Sequence, residues 1–223
     1  MTQEWHNVLF LHWPISPEVL RKHIPSELEL DLYNNQAWIG LIFFEVKGNR
    51  PRFIPPIPGL NSFLEINIRT YVTYQGRAGI HTFSLDVNNP LIVGLATLGS
   101  FLPYHSAKMS FKRRKNTFTI NSRRLNRSFP EALITSFEPI PSVNERNQLD
   151  RWLTERYHLW TKPKNQLFRI DTFHSHWQLQ KVKGTVQLNT MGSFINNDFL
   201  DKQPIAHYSN MKKAIIFPPI KER

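Results

Sequence analysis

The stretch LEINIRTYV, residues 64–72, carries the alternation that decides the fold. In a β-strand, successive side chains point to opposite faces. One face of this stretch is polar and carries Glu65, Asn67, Arg69 and Tyr71, whereas the other face is aliphatic. The sequence therefore predicts a strand with two different surfaces.

A second alternating stretch, HTFSLDV at residues 81–87, follows after a possible loop of four residues, 76–79. With that loop, the two strands form a hairpin in which Arg69 lies opposite Asp86 and Tyr71 opposite Ser84, so that polar residues meet polar residues. We therefore predict that Arg69 and Asp86 share a face of the sheet. Glu65 lies about 13 Å from Arg69 along an extended strand, too far for a direct ion pair.

Two interpretations of this polar row are open. One face of an antiparallel sheet commonly contacts water, which would make the row a solvated surface. The row contains no lysine, although the chain is rich in lysine, and it mixes carboxylate, amide, guanidinium, phenol and hydroxyl groups. Such a mixture is typical of a pocket wall.

Length and composition predict a single domain over residues 1–223. An apolar content of 40% supplies a core, and sixteen prolines limit the length of helices. The chain has no cysteine, which excludes disulfides, thiolate metal ligands and a cysteine nucleophile. The first residues do not resemble a secretory signal, and no apolar run reaches the roughly 20 residues that cross a bilayer, so we expect a cytoplasmic protein without a membrane partner.

The local patterns predict a β-dominated α+β fold with a few short helices. Residues 50–59 are rich in proline and predict a stiff loop that forms a lid, a rim or merely a connection. A short helix is predicted after Ser16, with Pro17 at its first position. The other predicted helices are 90–100 and 148–157, and the other predicted strands are 5–13, ending at Pro14, 37–46, 106–113, 117–122, 171–180 and 185–188.

Several short motifs occur in a characteristic order along nearly the whole chain. They are EINIRTYV at 65–72, FSLD at 83–86, LPYH at 102–105, HWP at 12–14, TERY at 154–157, His174 three residues before Trp177, and YS at 208–209. This set resembles an uncharacterised bacterial family typified by YqjF-like proteins. That family is similar to acetoacetate decarboxylase, which implies an antiparallel β-barrel or sheet with a ligand cavity inside it.

The resemblance implies that Glu65 corresponds to a glutamate that lines the decarboxylase cavity. In the decarboxylase, the first of two adjacent lysines after a proline forms a Schiff base. Here Pro103 is followed by Tyr104 and His105, so Schiff-base chemistry is not expected. Lys108 is the nearest lysine, and its place in the alternation indicates a solvent-facing side chain.

The predicted site therefore has Glu65 and His105 as proton carriers. The ligand-binding candidates are Asn67, Arg69, Tyr71, Ser84, Asp86, Tyr104 and His174. No cofactor is expected, and no metal either, because His174 and His176 have no evident third ligand and His174 is better explained as a hydrogen-bonded residue beside Trp177.

A net charge of +11 leaves other functions open. The basic residues 112–115, Arg123, Arg124 and Arg127 predict a basic hairpin that would contact phosphates, although no known nucleic-acid-binding motif accompanies it. The favoured function is a small-molecule-binding protein or enzyme that acts on a small polar or acidic ligand. The alternatives are a nucleic-acid-associated protein and a dimeric assembly component.

Overall fold

The computed structural model describes residues 1–99, 101–125, 131–141, 146–195 and 202–222, with no side chains described at 97–99. Strands make up most of these residues, which confirms the β-dominated α+β class. The strands are β1 Thr2–Ile15, β2 Glu29–Leu30, β3 Ala37–Arg50, β4 Phe63–Tyr74, β5 Arg77–Val87, β6 Tyr104–Arg114, β7 Thr117–Arg124, β8 Ala132–Pro139, β9 His158–Thr161, β10 Phe168–His174, β11 Gln180–Asn189, β12 Ile205–Ile216 and β13 Ile220–Lys221. The α-helices are α1 Pro17–Arg21, α2 Pro90–Gly99 and α3 Gln148–Thr154, and a 3₁₀ turn spans Pro163–Asn165. None of the helices within these ranges has the length and apolarity to cross a membrane.

The strand pairings close into two rings that share several strands. The first ring runs β1-β3-β4-β5-β9-β10-β12 and returns to β1. The second runs β1-β3-β4-β5-β6-β7-β8-β11-β12 and also returns to β1. Most neighbours are antiparallel, but β5 pairs in parallel with both β6 and β9. Helix α2 makes the connection from β5 to β6, as a parallel pair requires.

The shared strands have one face in each ring. In β3, Phe43 belongs to the main hydrophobic core, whereas the next residue, Phe44, packs on the other side of the strand. In β4, Ile66 and Ile68 join the main core. The polar residues of β4 alternate with these two, so they face the interior of the first ring.

The register of the β4–β5 hairpin differs from the prediction. Arg69 lies opposite Thr82 and Tyr71 opposite Ile80, with a bulge next to Arg69. Asp86 lies opposite Ile66. Asp86 and Ser84 are therefore on the core side of the sheet, and the prediction that Arg69 and Asp86 share a face was wrong.

The bulge explains this error: Phe83 is skipped in the pairing between Thr82 and Ser84, and this one extra residue in β5 reverses the faces of Ser84 and Asp86. The turn is also shorter than predicted. The strands continue to Tyr74 and Arg77, and Gln75 and Gly76 alone form the turn, with φ of 49° and 73°. Positive φ at both central residues is the signature of a two-residue type I′ hairpin turn. Gly79 is inside β5, where a Cβ atom would lie 2.5 Å from the His158 carbonyl oxygen, so this glycine permits the close approach of β9.

Other predicted boundaries shift as well. Strand β1 continues through Pro14, which is exposed, and at this point β1 pairs only with β3. The predicted strand 171–180 is two strands, β10 and β11, separated by irregular residues 175–179. Helix α3 ends at Thr154, earlier than the predicted end at residue 157.

Candidate functional site

A cavity of about 290 Å³ lies inside the first ring of strands. Its wall combines aromatic and aliphatic residues of β1 and β3 with polar residues of β4, β5, β10 and the segment after α3. The polar lining residues are Gln3, Glu65, Asn67, Arg69, Thr82, Tyr104, Thr154, Arg156, Tyr157, His158, Thr172 and His174. An apolar cavity with a few convergent polar groups is the usual form of a small-molecule site.

Glu65 is a buried carboxylate in the middle of this wall, 7% exposed. Burial raises its pKa to about 8, and a hydrogen bond with the Asn67 side chain opposes this shift. Burial and the neighbouring Glu65 raise the pKa of Tyr104. Glu65 is therefore protonated at neutral pH, and neutral pH is close to its pKa. These two conditions suit a group that donates and accepts protons.

Two arginines occupy one end of the cavity. Arg69 is hydrogen-bonded to the hydroxyl of Tyr71, and Tyr71 donates in turn to the carbonyl oxygen of Leu153 at 2.9 Å. Burial lowers the pKa of Arg69. Its Nε has no hydrogen-bond partner, and none of the carboxylates in the described ranges pairs with it.

Arg156 is held more firmly than Arg69. It donates to Asp31 at 2.5 Å and to the Trp152 carbonyl oxygen at 2.7 Å, and its guanidinium lies 5.0 Å from the centre of the Tyr71 ring. Its Nη2 is nevertheless buried without a partner within the described part of the chain. Because Asp31 compensates only Arg156, this end of the cavity has an excess positive charge.

The segment after α3 places Arg156 in the wall. Helix α3 begins with a capping box between Asn147 and Asp150 and ends at Thr154. Glu155 accepts hydrogen bonds from the Tyr157 hydroxyl at 2.6 Å and from the Trp177 backbone N–H at 3.1 Å. These bonds fix the chain so that the residues on both sides of Glu155 line the cavity. The TERY motif is recognisable in the sequence, but its pattern alone did not assign it to the site.

The structure brings together five of the nine predicted site residues. Glu65, Asn67, Arg69, Tyr104 and His174 line the same cavity. The location of these residues agrees with the sequence analysis, and their roles in binding or catalysis remain predictions.

The other four predicted site residues do not line the cavity. Tyr71 is fully buried behind Arg69, where it supports the guanidinium. Ser84 and Asp86 are on the opposite face of β5, for the register reason given above. His105 follows Tyr104 in β6, so alternation places the two side chains on opposite faces.

Asp86 belongs instead to a buried ion-pair cluster. It binds Arg124 through two oxygens, at 2.6 and 3.0 Å, and Arg124 also pairs with Glu131 at 2.5 Å. His105 lies beside this cluster, and its pKa is lowered by burial and by Arg124. This arrangement explains Asp86 as a structural residue that joins β5 to β7.

His174 is the last residue of β10 and points into the cavity. Its ring centre lies 5.1 Å from that of Trp177, as the sequence analysis favoured, and burial lowers its pKa. His176 is beyond the strand end and its side chain is 80% exposed, so the two imidazoles do not form a pair. The residues that the structure describes contain no cluster of three metal-ligating side chains.

The basic hairpin is less available for phosphates than its sequence indicates. Arg124 is committed to the buried ion pairs. The side chain of Arg113 stacks over Phe118, 5.2 Å from the ring centre. Residues 112–115 remain exposed at the β6–β7 turn, and Arg127 lies outside the described residues.

Comparison with known proteins identifies the family. Residues 2–213 match DUF2071, described as an uncharacterized conserved protein. The uncharacterized protein YqjF of Bacillus subtilis (strain 168) is 39% identical over 224 residues, covering 100% of this chain and 92% of that protein. The chain belongs to the YqjF-like DUF2071 family. The resemblance seen in the sequence motifs is thereby confirmed.

Solved structures show the same fold at low sequence identity. An acetoacetate decarboxylase-like enzyme of Sphingomonas wittichii RW1 is 11% identical with a TM-score of 0.70, covering 100% of this chain and 92% of that one. Acetoacetate decarboxylase of Legionella pneumophila is 13% identical with a TM-score of 0.67, covering 98% and 87%. The enduracididine biosynthesis enzyme MppR complexed with pyruvate is 12% identical with a TM-score of 0.66, covering 99% and 89%.

The DUF2071 chain therefore has the acetoacetate decarboxylase-like fold. None of the described residues that line the cavity is a lysine. Lys108, the nearest lysine after Pro103, is exposed on β6, as its position in the alternation predicted.

Proposed function

We propose that the cavity binds a small organic acid and that Glu65 exchanges a proton with the bound ligand. Arg69 carries this proposal, because its guanidinium lines the cavity without an anionic partner among the described residues. A buried charge is costly unless it is paired, and a ligand carboxylate would supply the missing partner. The unpaired Nη2 of Arg156 offers a second donor to the same anion.

The position of Glu65 supports the second part of the proposal. Glu65 lies on the same strand face as Arg69, near the start of β4, whereas Arg69 is in the middle of the strand. A ligand whose carboxylate meets Arg69 would present a more distant oxygen or acidic carbon to Glu65. With a pKa near neutrality, Glu65 would transfer a proton there without a lysine-bound intermediate.

The fold neighbours support an acidic ligand. MppR has been captured with pyruvate, a small carboxylate. The same fold thus accommodates an organic acid, although sequence identity of 12% carries no residue role from that enzyme to this chain.

Isothermal titration with matched uncharged and charged ligands tests this function. Butanoate and acetoacetate are expected to bind, whereas butanamide is not, since only the carboxylates pair with Arg69. Arg69→Met is expected to weaken carboxylate binding by about 10- to 100-fold, the loss typical of a charge-assisted hydrogen bond. Arg113→Met, at an exposed position on β6, is the control and is expected to bind as the parent protein does.

Glu65→Gln is expected to leave the fold intact and to abolish binding or turnover of the acid. Equal binding of butanoate and butanamide, or unchanged binding by Arg69→Met, would contradict the proposed function.

A further inference from the structure

We infer that the ligand is an amphipathic carboxylic acid, whose apolar tail passes Glu65 and occupies a groove between α2 and the loop of residues 51–60. This inference rests on the proposed function, because it takes the acid group to be bound at Arg69. It adds the chemical class of the remainder of the ligand.

The groove adjoins the cavity and differs from it in character. It has a volume of about 420 Å³, and its wall is mostly apolar. The loop of residues 51–60 supplies Ile57 and Leu60, and α2 supplies Ile92 and Leu95. Four polar residues of the cavity wall do not line the groove: Glu65, Asn67, Arg69 and Arg156.

The two spaces adjoin at one boundary. Met1, Gln3, Leu102 and Tyr104 each line both the cavity and the groove. A molecule that fills the cavity and is longer than it would therefore extend past these residues into the groove.

Strand β4 provides a scale along this path. Phe63, Glu65, Asn67 and Arg69 alternate onto the same face, with Phe63 in the groove and the other three in the cavity. Six residues of extended strand separate Phe63 from Arg69, a span of roughly 20 Å. Polarity therefore falls in one direction, from a guanidinium through an amide and a neutral carboxylic acid to a phenyl ring.

The neighbouring strands show the same gradient. In β5, Thr82 lies opposite Arg69 and Val87 lies opposite Glu65. In β3, the residue opposite Glu65 is Phe44. Since α2 starts three residues after the end of β5, the apolar helix is anchored at the low-polarity end.

The groove also leaves apolar side chains accessible. Leu95 is 54% exposed and Ile57 is 44% exposed. Clustered exposed apolar groups commonly mark a binding surface. An alkyl tail that leaves the cavity would cover both of these side chains.

The inference is tested by titrating straight-chain carboxylates, from acetate to hexadecanoate, with tryptophan fluorescence as the signal. Trp5 and Trp177 line the cavity and report occupancy. Once the chain is long enough to enter the groove, affinity is expected to rise by up to about fourfold for each added methylene group. Hexadecan-1-ol is the matched ligand without a charge and is expected to bind more weakly than hexadecanoate.

Two leucines of α2 provide a matched pair of variants. Leu95 lines the groove, whereas Leu91, which is 59% exposed on the same helix, does not. Leu95→Gln is expected to reduce the affinity for hexadecanoate about tenfold and to leave butanoate binding unchanged. Leu91→Gln is expected to leave both affinities at the parent values, and both exposed positions tolerate glutamine without loss of folding.

The outcomes separate this inference from the proposed function. If butanoate binds through Arg69 but affinity does not rise with chain length, or if Leu95→Gln and Leu91→Gln behave alike, the tail assignment is overturned and the proposed function stands. If hexadecan-1-ol binds as tightly as hexadecanoate, or if no carboxylate binds, the proposed function fails and the tail assignment fails with it.

Discussion

The two faces of β3 and β4 come from adjacent residues and yet serve opposite purposes. On the core face, Phe43, Ile66 and Ile68 are almost completely buried in close packing. On the other face, Glu65 and Arg69 border unfilled space and lack ionic partners among the described residues. Dense packing favours stability, whereas a cavity with desolvated charges reduces it. The molecule therefore gains its stability on one side of these strands and accommodates its site on the other.

The largest effect on the free energy of unfolding is expected from truncating the neighbouring phenylalanines Phe43 and Phe44, which lie on the two faces. Phe43→Ala creates a new cavity in the core and is expected to lower the free energy of unfolding by about 3–5 kcal/mol. Phe44→Ala enlarges a cavity that already exists, so only the transfer cost of about 1.5–3 kcal/mol is expected. Urea unfolding of both variants measures the difference. Equal losses would show that the cavity face is packed as tightly as the core face.

The second effect is the dependence of the free energy of unfolding on pH that Glu65 causes. Its pKa is about 8 in the folded protein against an ordinary value of 4.5, so between these two values the folded state holds a proton that the unfolded state has released. Stability therefore falls as pH rises from 4.5 to 8 and is level with respect to this group above that range. Relative to Glu65→Gln, the parent protein should lose a few kcal/mol at most over this window. A stability difference between the two proteins that is independent of pH would contradict the assigned protonation state.

The smallest effects on the free energy of unfolding are expected from replacing the two arginines of the cavity. Arg156→Met leaves Asp31 without its partner and is expected to lower the free energy of unfolding by about 1–3 kcal/mol. Arg69→Met removes an unpaired charge and is expected to raise it, on the order of 1 kcal/mol, in the absence of ligand. Chemical denaturation without added carboxylate measures both. Destabilisation by Arg69→Met would indicate that the Tyr71 hydroxyl already compensates the charge.

The site was predicted from β4 with more success than from β5. Alternation in residues 64–72 identified one polar and one apolar face, and the structure places Glu65, Asn67 and Arg69 together on the cavity wall. The β5 assignments failed because a bulge adds one residue to β5 at Phe83 and reverses the faces of Ser84 and Asp86. The assumed loop of four residues also gave the wrong opposite residues, but by itself it leaves the faces unchanged. Gly79 looked like part of a turn, but its small size serves the contact with β9, which is distant in sequence. A glycine pattern by itself does not distinguish these two uses.

Other site residues depended on contacts that no local pattern contains. Arg156 reaches the cavity because α3 ends at Thr154 and Glu155 is tied to the Trp177 backbone. The exclusion of His105 follows from Tyr104 facing the cavity, and alternation allows only one of the two to do so. The sequence therefore indicates that either Tyr104 or His105 faces the cavity, but it does not indicate which one.

The sequence by itself determined the strand-dominated class, the two-faced character of β4 and the family motifs, because side-chain alternation and residue order are local properties. Only the tertiary structure decided which face encloses a cavity, which charges are compensated and where the apolar groove meets the cavity. These features arise when strands far apart in the chain close into rings, as β5 does with β9. Burial and charge pairing depend on that closure, since a carboxylate changes its pKa only when its surroundings exclude water.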